Sequence, residues 1–175
     1  MKLLLIFGWL CWLLVVAPAG ERQVKESEIG FKIKNAGLTV DGTFSGLAAT
    51  VRFDPAHLNQ ANIRASVPVG SIQTGIALRD KHLQKPDYFD AEKFPNITLQ
   101  STSFHKTGQN QYEGVFMLTM KGVSREVKLP FSVSAAREFQ GQLRVNRLDF
   151  GIGKHSILLS DDVTINILIK LASGS

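Results

Sequence analysis

Cysteine is almost missing from this chain. The single residue, Cys11, sits inside the apolar run Leu3–Val16. If that run is removed, the remaining protein has no disulfide and no thiol nucleophile, so a hydrophobic core must hold it together. Tryptophan is just as restricted. Trp9 and Trp12 both lie in the same run, and only Tyr88 and Tyr112 supply phenols. The aromatic girdles of an outer-membrane barrel cannot be built from such a set. Basic runs with interleaved aromatics are missing too. The formal charge of +5 is spread along the chain, which gives nucleic-acid binding little support and leaves a weak attraction to anionic lipid or phosphate head groups.

The usual marks of catalysis are also absent. No G-x-S-x-G, Ser-x-x-Lys or glycine-rich phosphate loop occurs. The histidines His57, His82, His105 and His155 are scattered, without the spacing of a metal motif, and read as structural or exposed residues. Asp80, Asp87, Asp90 and Glu92 are close in sequence, but Arg79, Lys81, Lys85 and Lys93 interleave with them. A solvated or ion-paired surface accounts for that pattern. The expectation is a protein that is not an enzyme and needs no metal or other cofactor.

The N-terminal segment reads as a targeting signal and not as part of the fold. Lys2, the apolar run and Ala17-Pro18-Ala19 make a signal-peptide pattern with a small-x-small cleavage site before Gly20. The run is shorter than the roughly 20 residues of a membrane-spanning helix. The chain is therefore expected to divide into a signal peptide, 1–19, and one domain, 20–175, outside the cytoplasm and without a stable membrane span.

Alternation dominates the chain from Glu28 onward. Ile29, Phe31 and Ile33 share one face of a strand over Glu28–Lys34, with Lys32 and Lys34 on the other. Asn35-Ala36-Gly37 reads as a turn, and Thr39–Asp54 as a long strand whose pattern slips near Phe44-Ser45-Gly46. Further strands are predicted over Ile63–Val69, Ile97–Phe104, Tyr112–Met120, Val127–Val133, Phe139–Val145 and Val163–Leu171. Breakers such as Lys121-Gly122 and Gly151-Ile152-Gly153 separate them. No repeat, linker or low-complexity segment interrupts the chain. The fold class is all-β, an antiparallel barrel of about eight strands with its apolar face inside.

One stretch breaks the alternation. Within Thr74–Pro95, Ile76, Arg79, Asp80 and Leu83 fall at helical spacing. Thr74 is placed to cap that helix and Pro86 to stop it. Tyr88, Phe89 and Phe94 follow on a second short turn. This helical segment is expected to close one end of the barrel.

The same stretch carries a family likeness. Ser71–Thr74 (SIQT), Arg79–Leu83 (RDKHL), Asp87–Asp90 (DYFD) and Lys93–Pro95 (KFP) follow one another as in YceI-like proteins. Gly42-Thr43-Phe44-Ser45-Gly46, Phe53-Asp54, Lys121-Gly122-Val123-Ser124, Phe150-Gly151-Ile152-Gly153 and Ser160-Asp161-Asp162-Val163 extend the resemblance over most of the chain after about residue 27. The sequence departs from it at Glu26 and Asn35, where many members carry histidine. The resemblance implies a lipocalin-like barrel that holds a long apolar molecule, a polyisoprenoid or a fatty-acid- or amide-like lipid, for transport, storage or sequestration.

From the residues alone, a cavity and a fully packed core have the same composition. Ile29, Phe31, Leu47, Val51, Ile63, Val67, Phe116, Leu118, Leu143, Ile165 and Ile167 are the inward set, and Ala49, Ala65, Gly114 and Gly141 are small residues that can leave a channel. The candidate ligand-binding residues are Phe31, Ile33, Phe44, Val51, Val67, Ile76, Arg79, His82, Leu83, Phe89, Phe116, Leu118 and Phe150. For Arg79 and His82 two readings stand: contact with a lipid head group, or pinning of the helix. A scaffold acting through its exterior and, less favoured, an enzyme acting on isoprenoid lipids are the alternatives. The expected partner is a lipid and not nucleic acid, with a homodimer left open.

Overall fold

The computed structural model describes residue 20 and residues 22–172. The expected leader, 1–19, lies outside the described residues. Nine strands form one antiparallel sheet: β1 (Arg22–Asn35), β2 (Leu38–Phe44), β3 (Ala48–Arg52), β4 (Asn62–Pro68), β5 (Asn96–Gly108), β6 (Gln111–Met120), β7 (Val123–Val133), β8 (Glu138–Asn146) and β9 (Leu159–Leu171). The sheet closes where β1 pairs with β9, with Phe31 opposite Ile165 and Ile29 opposite Ile167. β2 and β3 take turns in one place of the wall, β2 against the end of β1 and β3 against its start, so the barrel is eight-stranded. The slip expected at Phe44-Ser45-Gly46 is the break between them.

Burial follows the alternation. Along β6, Tyr112, Gly114, Phe116, Leu118 and Met120 are all buried, and the residues between them are less so. Lys32 points outward and meets Asp41 across the strands at 3.2 Å. Two tight hairpins need backbone on the left-handed side. Lys121-Gly122 (φ 48° and 74°) joins β6 to β7, and Ala36-Gly37 (φ 50° and 81°) joins β1 to β2. Among the described residues no helix is long and apolar enough to cross a membrane.

The interior divides into two halves. At the end where β3 and β5 finish and β6 begins, Phe53 stands edge-on to Phe104, Tyr112, Phe131 and Phe139, with ring centroids 5.0–5.6 Å apart. Tyr112, Phe131 and Phe139 stack on one another. This aromatic plug is a dry core. Gly114 belongs to it and does not leave a channel: a Cβ there would lie 2.3 Å from the Phe116 ring and 3.1 Å from Phe104. The opposite half is open inside, and its end carries the helix α1 (Ala77–Leu83), the β6–β7 hairpin and the 147–158 connection.

Two glycine substitutions separate plug from wall. Gly114→Ala is expected to lower stability by about 1–3 kcal/mol through overpacking. Gly30→Ala, whose Cβ would meet nothing nearer than 3.8 Å, is expected to be neutral or to gain about 0.5 kcal/mol. Urea unfolding of the two variants checks this, and equal midpoints would show that the plug is loosely packed.

Candidate functional site

The open half holds a cavity of about 740 Å³. Its wall is aliphatic and aromatic: Ile29, Phe31, Ile33, Val40, Phe44, Leu47, Val67, Ile97, Leu99, Leu118, Leu143, Val163, Ile165 and Ile167, with Phe116, Phe131 and Phe139 of the plug as its floor. Alternation places these side chains, because every second residue of each strand points inward. Near the lid Phe31 lies against Phe44 at 5.6 Å, and Phe44 meets Phe89 of the lid edge-on at 6.1 Å. Gly42 makes that ladder fit. A Cβ at this position would come within 2.2 Å of the Phe31 ring, which gives the Gly42-Thr43-Phe44 motif a physical reason.

The lid is a short helix that would be marginal by itself. None of its residues is buried, and the cap position is Ile76, with no side-chain hydrogen bond to the backbone there. The expected capping by Thr74 is therefore corrected. Thr74 is instead gripped from both sides. Its N–H and hydroxyl donate to Oδ1 of Asp80 at 2.9 and 2.5 Å. Arg79 donates from Nε to the Thr74 hydroxyl and from Nη2 to the Thr74 carbonyl, both at 2.7 Å. The neighbouring residue, Gln73, exchanges two backbone hydrogen bonds with Thr43 of β2, at 2.8 and 3.0 Å. The lid is thus tied to the barrel wall through Thr74. Behind it Tyr88 meets the His82 ring at 5.0 Å, and the Gly153 N–H donates to the Asp87 carbonyl at 2.9 Å.

A second polar knot borders the cavity. Arg147 is buried, yet its guanidinium is heavily engaged. Nε donates to the Ser160 carbonyl, Nη1 to Ile152, and Nη2 to Lys154 and to Asp161 Oδ1, all at 2.8–2.9 Å. Asp161 in turn meets His155 at 2.9 Å. A buried charge is tolerable when paired and hydrogen-bonded in this way. The knot ties the connection 147–160 to the barrel end. Sequence reasoning passed over Arg147, although a signal was present. Leu143, Val145 and Arg147 continue one inward parity, so the third of them had to enter the interior.

Of the residues singled out in the sequence, Phe31, Ile33, Phe44, Val67, Ile76, Arg79, His82, Leu83, Phe89, Phe116 and Leu118 line the cavity. Val51 and Phe150 do not; both are fully buried in the packed core. Asn35, Thr74, Tyr88, Thr98 and Ser66 add a few polar atoms to the lining, and Ala65 and Gly141 its small positions. Ala49 and Gly114 stay outside it. The groups with shifted ionisation are elsewhere, on the outer surface. The hydrogen bond from Lys170, then its charge, lowers the Glu26 pKa, and the same contact raises that of Lys170. The hydrogen bond from His57 lowers that of Asp54. Among the described residues no cluster of His, Cys, Asp and Glu side chains is placed to hold a metal ion.

Known proteins share both the sequence pattern and this barrel. The model of the YceI-like domain matches residues 22–171. A UPF0312 protein of Pseudomonas fluorescens is 32% identical over 148 residues, covering 75% of this chain and 74% of its own length. The crystal structure of BcnA from Burkholderia cenocepacia superposes with a TM-score of 0.79 at 27% identity, over 84% of this chain and 96% of that one. A polyisoprenoid binding domain from Saccharophagus degradans superposes at 0.62 over 90% of this chain and 100% of that one, with 12% identity, which speaks for the fold alone.

The clamp on Thr74 gives a direct test of the two roles left open for the helix. Arg79→Gln removes two hydrogen bonds that hold the lid and is expected to lower the stability of the empty protein by roughly 1–3 kcal/mol. His82→Gln, at an exposed position, is expected to change it by less than about 0.5 kcal/mol. Thermal or urea unfolding of ligand-stripped protein reads both. An unchanged Arg79→Gln would mean that the clamp contributes nothing in water.

Proposed function

The chain belongs to the YceI-like family, and from that premise we propose that it is a periplasmic or secreted binding protein that holds one long apolar molecule inside its barrel. The class is a polyisoprenoid or a fatty-acid- or amide-like lipid. The observation that carries this reading is the cavity itself, about 740 Å³, inside the range of about 300–1,000 Å³ usual for ligand sites. Its wall offers hydrocarbon almost everywhere. Each buried methylene contributes about 0.8 kcal/mol, so affinity accrues along a chain without polar contacts. A chain too long for the space would have to leave through the lid end.

The likeness to a polyisoprenoid binding domain agrees with this reading but is too distant to carry it. A scaffold that works only through its exterior would not need an unfilled space of this size inside the barrel. Family and fold support a binding protein rather than an enzyme. Export rests on the leader pattern at 1–19 and the Ala17-Pro18-Ala19 site.

Mass spectrometry of organic extracts from purified protein is expected to show a co-purifying lipid. Ala65→Phe, which projects a ring into the cavity, should lose most of that lipid while keeping a cooperative unfolding transition. Extracts equally empty, or equally loaded, for both proteins would sink the proposal. A separate measurement addresses export. N-terminal sequencing of the exported form is expected to begin near Gly20, and an intact Met1 on cytoplasmic protein would contradict it.

A further inference from the structure

Large apolar side chains exposed to water are few among the described residues, and they are not scattered. Leu38 (74% exposed), Ile76 (53%), Leu78 (79%), Ile157 (97%) and Leu158 (60%) are all at the lid end; Met117 (37%), on a strand, is the other one. Topology puts them together. Leu38 opens β2 just past the β1–β2 turn, and the Ala36 N–H of that turn donates to the Leu158 carbonyl at 2.7 Å. Ile76 and Leu78 belong to the lid and also line the cavity, together with Asn35, Val40 and Leu159 of the neighbouring strand ends. The outer apolar rim is therefore continuous with the cavity wall.

Single exposed aliphatics need no explanation, but a group of them around one opening does. Lys34, Lys81 and Lys154 flank the rim, are exposed, and make no ion pair among the described residues. Of the nearby carboxylates, Asp41 faces Lys32 and Asp161 faces Arg147 and His155, while Asp80 accepts from Thr74. Asp87, Asp90 and Glu92 lie on the turn behind the helix and the exposed Asp149 on the 147–158 connection, so charge at this end is mixed. The apolar side chains carry the contact, and the lysines bias it toward an anionic surface.

We propose that this rim is a docking surface for an anionic lipid bilayer, on which the cavity exchanges its ligand. The aliphatic side chains enter the interfacial region while the lysines meet lipid phosphates, as on interfacial helices. A ligand leaving the bilayer then passes from one apolar medium to the next along Leu78 and Ile76 without crossing water. The purpose of the surface rests on the lipid-cargo reading; the docking itself does not.

Co-flotation with vesicles of equal parts phosphatidylcholine and phosphatidylglycerol tests it. The full domain is expected to float, and to float less as salt rises. Leu38→Ser combined with Ile157→Ser removes two rim residues that do not line the cavity. Vesicle affinity is expected to fall roughly tenfold or more, with lipid content by mass spectrometry unchanged. Met117→Ser should bind vesicles as the parent does. No flotation, or flotation indifferent to the rim substitutions, overturns the proposal. So does a dimer in sedimentation that the rim substitutions abolish without any vesicle binding, which would assign the rim to a second copy. An empty cavity in a protein that floats and loses flotation on substitution refutes the cargo reading and leaves the docking surface standing.

Discussion

Everything at the working end follows from a mismatch of strand heights. β1 is long enough to pair with β9 on one side and with β2 and β3 in succession on the other. β4, however, ends at Pro68, opposite the break between β2 and β3. β2 therefore rises above its would-be neighbour with its outer edge unpaired, except at the bridge between Thr43 and Gln73. An open edge beside an apolar interior is unfavourable on two counts, since it leaves backbone groups without partners and hydrocarbon exposed to water. The 69–95 segment lies over that gap. It satisfies β2 at one point only, through Gln73, and this makes a lid fastened at an anchor rather than a continued wall.

The two ends of the barrel answer the same problem differently. A barrel of this strand number has an interior that side chains can just fill. At the closed end they do so with rings, and glycine at position 114 makes the room that Phe116 and Phe104 need. At the open end the inward residues are mainly aliphatic and stop short of the axis, while glycine at 141, paired with Phe131 of the plug, lines the floor of the space. Two glycines near the plug thus have different uses: the Phe116 ring fills the room at 114, and the cavity reaches 141.

That difference marks the limit of what the sequence could convey. The strands were legible because period-two alternation is strong in β1, β6 and β8, and the turns because Ala36-Gly37 and Lys121-Gly122 supply the backbone that hairpins require. The lid was legible as a departure from alternation, and most of the cavity lining followed from parity. Parity says only that a side chain faces inward. It cannot distinguish packed core from cavity wall, so Val51 on β3 reads like a lining residue, and Phe150 lies on a short turn after β8 where parity no longer applies. Arg147 was hidden for another reason. Its partners are mainly backbone carbonyls, of Ile152 and Lys154 in the connection and of Leu159 and Ser160 at the start of β9, and nothing in the residue types there announces that five residues will converge on one guanidinium. The exposure of Ile76 was equally hidden, since helical spacing describes a stripe but not how deeply it sinks.

The chemistry of the cavity follows from how its charges are used. Two arginines, Arg79 and Arg147, reach it, and a free arginine in an apolar pocket would select carboxylate or phosphate. Arg147 is not free in that sense, and Arg79 is partly engaged. Arg147 spends its donors on Ile152, Lys154, Ser160 and Asp161, and Arg79 turns back on Thr74. Turning Arg147 to a ligand would dismantle the connection that shapes the space, whereas Arg79 holds Thr74 through Nε and Nη2 and keeps Nη1 in reserve. The other polar side chains of the lining are Asn35, Ser66, Thr74, His82, Tyr88 and Thr98, most of them at or near the lid. On the proposed lipid-binding reading, selection inside the barrel rests on volume and hydrocarbon, and a polar group of the ligand belongs at the lid end beside Arg79 and His82.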